Sequence, residues 1–168
     1  MDRIKVSLMI LIALLVTGCE TNKWAEHEQR LIDEYIESLE GTTYVLYPSG
    51  LYYIELRPGT GDFPADHDTV YFKYNAAFTD YVQFDTNDPY TTPFEYVIGS
   101  FTGMKMKGVD EGLRYMKAGG KSRLLTPSSL AYGFEGISSI VAGYTPILWT
   151  LELDSINPYS GKSSRVRA

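Results

Sequence analysis

Residues 117–133, KAGGKSRLLTPSSLAYG, decide how this chain folds. The pair Gly119 and Gly120 predicts a helix stop, because glycine enters a left-handed cap without strain. Just upstream, VDEGLRYMK from Val109 to Lys117 puts Val109, Leu113 and Met116 on one stripe. Asp110 and Glu111 lie toward the positive end of the helix dipole and Lys117 lies at the other end, so the segment reads as a short amphipathic helix. Downstream, Arg123 to Leu125 reads as a strand and Pro127 to Ser129 as a turn.

Outward from this stretch, the texture is that of short strands. LYYIELRPGTGDFP is an extended run ending in the turn chemistry of Pro58, Gly59 and Gly61. DTVYFKYNAAF alternates Val70, Phe72 and Tyr74 against Tyr71 and Lys73, which predicts a half-buried strand. VQFD follows; after it Asn87, Asp88, Pro89 and Pro93 make a loop, before Phe94, Tyr96 and Ile98 alternate again. PILWTLELDSI closes the pattern, with Ile147, Trp149, Leu151 and Leu153 set against Leu148, Thr150 and Glu152. With fifteen glycines, eight prolines and fourteen tyrosines in 168 residues, the class is α+β and rich in turns. Its length and its 44% hydrophobic content provide for one domain with a real core, plus appendages.

The appendages start at the N-terminus. Arg3 and Lys5 precede an uncharged apolar run from Val6 through Val16 that ends in Val16-Thr17-Gly18-Cys19. The run is shorter than the roughly 20 residues a spanning helix needs, and small residues before a cysteine are similar to the lipobox of bacterial lipoproteins. Residues 1–18 are therefore expected to be a removed lipoprotein signal peptide, with Cys19 the lipid-carrying first mature residue and no thiol left for a disulfide or metal. The alternative is an ordinary signal sequence or a buried helix with an incidental cysteine. Residues 19–23 form a polar tether. Residues 24–41 carry an amphipathic helix, WAEHEQRLIDEYIESLE, with Trp24, Leu31, Tyr35 and Leu39 on a stripe widened by Ile32 and Ile36. Gly41 stops it. Periodicity leaves open whether this face packs on its own domain or serves as a spacer or dimerisation arm. The main domain spans 42–157, and the basic, serine-rich tail 158–168 reads as disordered, with contact to acidic lipid or a partner as the other reading.

Several chemistries are excluded. A net charge of −6 argues against nucleic acid as a partner, since a phosphate-backbone binder needs a basic face. His27 and His67 are the only histidines and neither has metal-ligand spacing to another, so no metal and no cofactor is expected. Ser128 and Ser129 lack the frame of a nucleophile elbow. Gly59-Thr60-Gly61 opens no helix and cradles no phosphate.

In sequence and in order, the segments from about Gly50 to Asn157 resemble the FK506-binding-protein (FKBP) type of peptidyl-prolyl cis/trans isomerase. The most specific signature is G-G-K followed by P-S-x-L-A-Y-G. The resemblance implies a curved antiparallel sheet wrapped around one short helix. It also implies an apolar pocket for a prolyl segment: Tyr74, Phe84 and Phe94 as walls, Trp149 on the far side, Met106 beside the ring and Val141 as cap. Asp85 is then the polar contact, and Tyr132 offers its hydroxyl to a substrate carbonyl, with Gly133 letting the backbone bend beside it. Such a pocket needs no nucleophile. The barrier of about 18–20 kcal/mol comes from amide resonance, and a twisted amide has less charge separation, so a water-poor site favours the transition state.

Val109 stands where the family usually carries a large aromatic, most often tryptophan, at the pocket floor. A wider floor is the expectation, with Met104 or Met106 as candidates to fill it. The segment SFTGMKM is longer than usual, Lys105 takes a place commonly aliphatic, and Ala142 and Gly143 replace a frequent proline pair. The functional expectation is an isomerase that helps proline-containing proteins of the bacterial cell envelope to fold. It would be anchored to the membrane through lipid on Cys19. The alternative is a catalytically weak FKBP-like binding module or chaperone in an envelope complex.

Overall fold

The computed structural model describes residues 23–87, 92–100, 106–137 and 139–161. Residues 1–22, where a signal peptide and lipid-carrying Cys19 are expected, Met104, Lys105 and residues 162–168 of the basic tail lie outside the described residues. The first helix, α1, occupies residues 23–37, and Gly41 follows at φ +76°. Seven strands follow: β1 (Val45–Leu46), β2 (Tyr52–Arg57), β3 (Thr69–Ala77), β4 (Gln83–Thr86), β5 (Phe94–Val97), β6 (Lys121–Thr126) and β7 (Ile147–Asn157). Helix α2 (Lys107–Leu113) lies between β5 and β6, and a 3-10 turn, Ser128–Leu130, follows β6.

All strand pairs are antiparallel, in the order β1-β2-β6-β7-β3-β4, with β5 also on β3. Strand β3 organises the pocket end. One edge pairs with β7 along its whole length. The other is shared, Thr69 to Phe72 with β5 and Asn75 to Ala77 with β4. The crossing between β4 and β5 is pinned by Asn87, whose Oδ1 accepts the Tyr74 N–H at 2.7 Å.

Both faces of the central strands are buried, because neighbours along a strand point to opposite sides. Tyr53, Leu124 and Trp149 belong to the main core around α2, with Val109, Leu113 and Met116. Their neighbours Ile54, Leu125 and Leu148 form a second cluster with Ile32 and Tyr35 of α1. The apolar face of α1 is thus covered by its own sheet. Trp24 is 55% exposed and lies off that face.

Helix α2 ends earlier than its apolar stripe predicts, at Leu113 rather than Lys117. The turn tightens there: Tyr115 N–H donates to Gly112 O and Met116 N–H to Leu113 O. This redirects the chain toward β6, where Gly119, at φ +78°, donates to Leu153 O at 2.7 Å. Lys117 therefore leaves the helix axis, and its ammonium sits over the Phe63 ring. The helix lies close to β6 because Gly108 and Gly112, one turn apart, present no side chain there. A Cβ on either would stand 2.4 Å from Thr126 Cγ2 or 2.3 Å from Leu124 Cδ1.

Candidate functional site

A cavity of about 390 Å³ opens between β3, the start of α2, and the start of β7. Phe72 and Tyr74, two apart on β3, share the lining face, and Phe94 and Tyr96 do so on β5. Strand β7 contributes Trp149, and the start of α2 contributes Met106 and Val109. Asp85 of β4, Ser100 and Tyr132 bring polar groups to the same space.

Register brings the rings together. Phe72 is paired with Phe94, and Ala76 with Trp149, so Tyr74, two residues from Ala76, meets the indole diagonally. Ring centroids are 5.9 Å apart for Tyr74 and Trp149, and 6.1 Å for Tyr74 and Phe94, the latter edge to face. Phe94 is 43% exposed and stands at the mouth. At the base, Val109 is 1% exposed.

The buried Trp149 has its N–H satisfied. It donates to Thr126 Oγ1 at 3.2 Å, and that hydroxyl donates to Ile147 O at 3.1 Å. This chain of donors fixes the indole plane. Asp110, also buried, accepts the Tyr96 hydroxyl at 2.9 Å, the Gly99 N–H at 2.7 Å and Arg114 Nε at 2.8 Å. It thereby ties β5 and the residues after it to α2.

Two hydroxyls face Asp85. Tyr74 donates to Asp85 Oδ2 at 3.2 Å, and its pKa is raised by burial first and then by that carboxylate. Burial pushes the Tyr132 pKa up to about 12, with Asp85 and then Tyr74 adding to it. Tyr132 therefore stays protonated at neutral pH; its carbonyl accepts the Gly136 N–H at 3.1 Å, while its hydroxyl has no hydrogen-bond partner among the described residues. The arrangement is an apolar bowl with a carboxylate and an available O–H donor, suited to hold a peptide carbonyl above an apolar ring.

Of the residues expected from the sequence, Tyr74, Asp85, Phe94, Met106, Val109, Tyr132 and Trp149 all line this one cavity. Phe84 does not. It falls where β4 shifts register on β3, between the Asp85 and Gln83 pairings, and its ring lies 4.9 Å from Phe78 and 6.2 Å from Tyr132, so it backs the tyrosine. Nor does Val141: a bridge to Ile137 turns it fully into the main core. Phe72, Tyr96 and Ser100 were missed, although the first two stand two residues from Tyr74 and Phe94 on the same strand faces.

Residues 61–154 match the family model for FKBP-type peptidyl-prolyl cis-trans isomerases. FK506-binding protein 1A of Aspergillus fumigatus is 36% identical over 101 residues, covering 60% of this chain and 88% of that protein. FkpA, an FKBP-type isomerase of Escherichia coli, is 32% identical over 110 residues, 66% of this chain and 39% of that protein. The chain also spans only 30% of FK506-binding protein 4 of Dictyostelium discoideum. Among solved structures, a peptidyl-prolyl isomerase of Pseudomonas syringae has a TM-score of 0.69 at 26% identity, covering 82% of this chain and 96% of that one. The fold of E. coli FkpA is likewise similar, with a TM-score of 0.70 over 94% of this chain and 74% of that one.

Proposed function

Because this chain belongs to the FKBP-type peptidyl-prolyl cis-trans isomerase family, we propose that it assists folding of proline-containing proteins in a bacterial cell envelope, held to the membrane by lipid on Cys19. The observation that carries the pocket's part is the convergence of Tyr74, Phe94, Met106 and Trp149 with Asp85 and Tyr132 around one cavity. A prolyl ring enters between Tyr74 and Trp149. The Tyr132 hydroxyl donates to a substrate carbonyl and keeps the peptide in register. Exclusion of water from the bond lowers the barrier, since the twisted amide is less polar than the planar one.

Val109 favours a second reading, a scaffold that binds prolyl segments with weak catalysis. Its small side chain leaves the base of the cavity wide, so a bound ring has fewer contacts to hold it. A proline-limited refolding assay separates the two. Uncatalysed isomerisation takes tens to hundreds of seconds, so acceleration by the chain without its leader supports the enzyme. No acceleration in the wild type, with acceleration in Val109→Trp, supports the scaffold. For the anchor, labelled fatty acid should enter the expressed chain and be absent from Cys19→Ser; equal labelling of both would refute lipidation at Cys19.

A further inference from the structure

We propose that helix α1 belongs to the pocket's positioning apparatus, with Glu28 the positioning residue for the loop that carries Tyr132. This rests on the reading of the cavity as a prolyl-peptide site. The contact lies a hundred residues apart in sequence: the Glu28 carboxylate accepts both the Ser128 N–H and the Ser128 hydroxyl, the latter at 2.9 Å. Ser128 is only 5% exposed. Its carbonyl in turn accepts the N–H groups of Ala131 at 2.9 Å and Gly133 at 2.8 Å, the residues on either side of Tyr132. Ser128 thus joins α1 on one side to both flanks of Tyr132 on the other. A shift of Ser128 passes to the tyrosine through two hydrogen bonds and four residues of chain.

The same helix reaches the second polar group of the pocket. Residues 28 and 35 lie about two turns apart on one face. The Tyr35 ring is 6.0 Å from that of Tyr81, in the turn that leads into β4 and Asp85. Tyr81 sits at φ +67°, an uncommon conformation for a non-glycine residue, and has the Arg123 guanidinium 5.5 Å from its ring centre. Between these two contacts, Ile32 and Tyr35 are anchored on Ile54, Leu125 and Leu148. One helix, seated on the rigid middle of the sheet, therefore bears on both segments that present Asp85 and Tyr132. A charge-assisted pair of hydrogen bonds at Glu28 is the stiffest of these contacts.

The test uses the full chain in detergent, as wild type, Glu28→Ala and Glu28→Gln, the last keeping a carbonyl for the Ser128 N–H. Amide hydrogen exchange is followed at Ala131 and Gly133, with Leu124 of β6 as reference. In Glu28→Ala, which removes both hydrogen bonds, exchange at Ala131 and Gly133 should rise at least about tenfold, the factor that loss of even one charge-assisted hydrogen bond commands, while Leu124 is unchanged. Under the same conditions kcat/KM for a prolyl peptide should fall by a similar factor, and Glu28→Gln should recover part of both. Unchanged exchange at Ala131 and Gly133, or an equal rise at Leu124, would overturn the proposal. So would a loosened loop with undiminished kcat/KM. An inactive wild type would remove the isomerase reading, while the exchange measurement would still decide whether Glu28 holds the loop.

Discussion

Replacing Asp110 by alanine should destabilise the protein by about 2–5 kcal/mol, a large share of the usual 5–15 kcal/mol. Asp110 is 3% exposed and accepts three hydrogen bonds. Arg114 retains Asp66 and is partly open to water, so its loss counts little. The buried Tyr96 hydroxyl would lose its carboxylate acceptor and keep only Ser100, at a cost of about 1–3 kcal/mol, and the Gly99 N–H, nearer to solvent, adds about 1–2 kcal/mol. Urea unfolding should show the midpoint falling at constant m. Asp110→Asn keeps an acceptor for Tyr96 and Gly99 but turns amide hydrogens toward Arg114, and should fall between the two. Because Tyr96 lines the cavity, Asp110→Ala should also weaken peptide binding. A loss below about 1 kcal/mol would refute the assignment of Asp110 as the hub joining β5 to α2.

Asp85→Ala combined with Tyr132→Phe should abolish any rate enhancement in proline-limited refolding while far-ultraviolet dichroism stays unchanged; an undiminished rate would mean the chemistry lies elsewhere. Thr126→Val leaves the buried Trp149 N–H without its acceptor and should cost about 1–3 kcal/mol in urea unfolding. Gly108→Ala forces a Cβ to 2.4 Å from Thr126 Cγ2, and thermal unfolding should register about 1–3 kcal/mol of overpacking. For Tyr132, the folded pKa of about 12 lies above the ordinary 10.0. Its contribution to stability is complete below pH 10 and is lost as pH rises through about 12. Tyr132→Phe should flatten the fall in stability over that window, and a matching fall in the variant would exclude Tyr132 as its source.

Much of the pocket was legible in the sequence through its resemblance to the family, with local pattern supplying the strand faces. Alternation put Tyr74 and Phe94 on strand faces, and the family resemblance implied both as pocket walls and Tyr132, in the P-S-x-L-A-Y-G stretch, beside a glycine that does adopt φ +69°. Alternation also contained Phe72 and Tyr96, but an apolar strand face does not reveal which of its rings border a cavity. Phe84 and Asp85 show the limit from the other side. Phe84 falls where β4 shifts register on β3, so alternation does not set its direction, and nothing in the order of the two residues reveals which borders the cavity. The early end of α2 was hidden as well, because its apolar stripe continues into Met116 although the chain has already turned toward β6.

The sequence alone determined the class, the order of strands around a short helix and the apolar faces, since these follow from periodicities and turn residues close together along the chain, and its resemblance in motif and segment order pointed to the family. Tertiary structure decided where separate faces meet. It placed Leu148 and Leu125 under α1 rather than against solvent, turned Val141 into the core, and brought Glu28 to Ser128. Those pairings depend on register, twist and the seating of one helix on the sheet, and they exist only when segments distant in the chain are packed together.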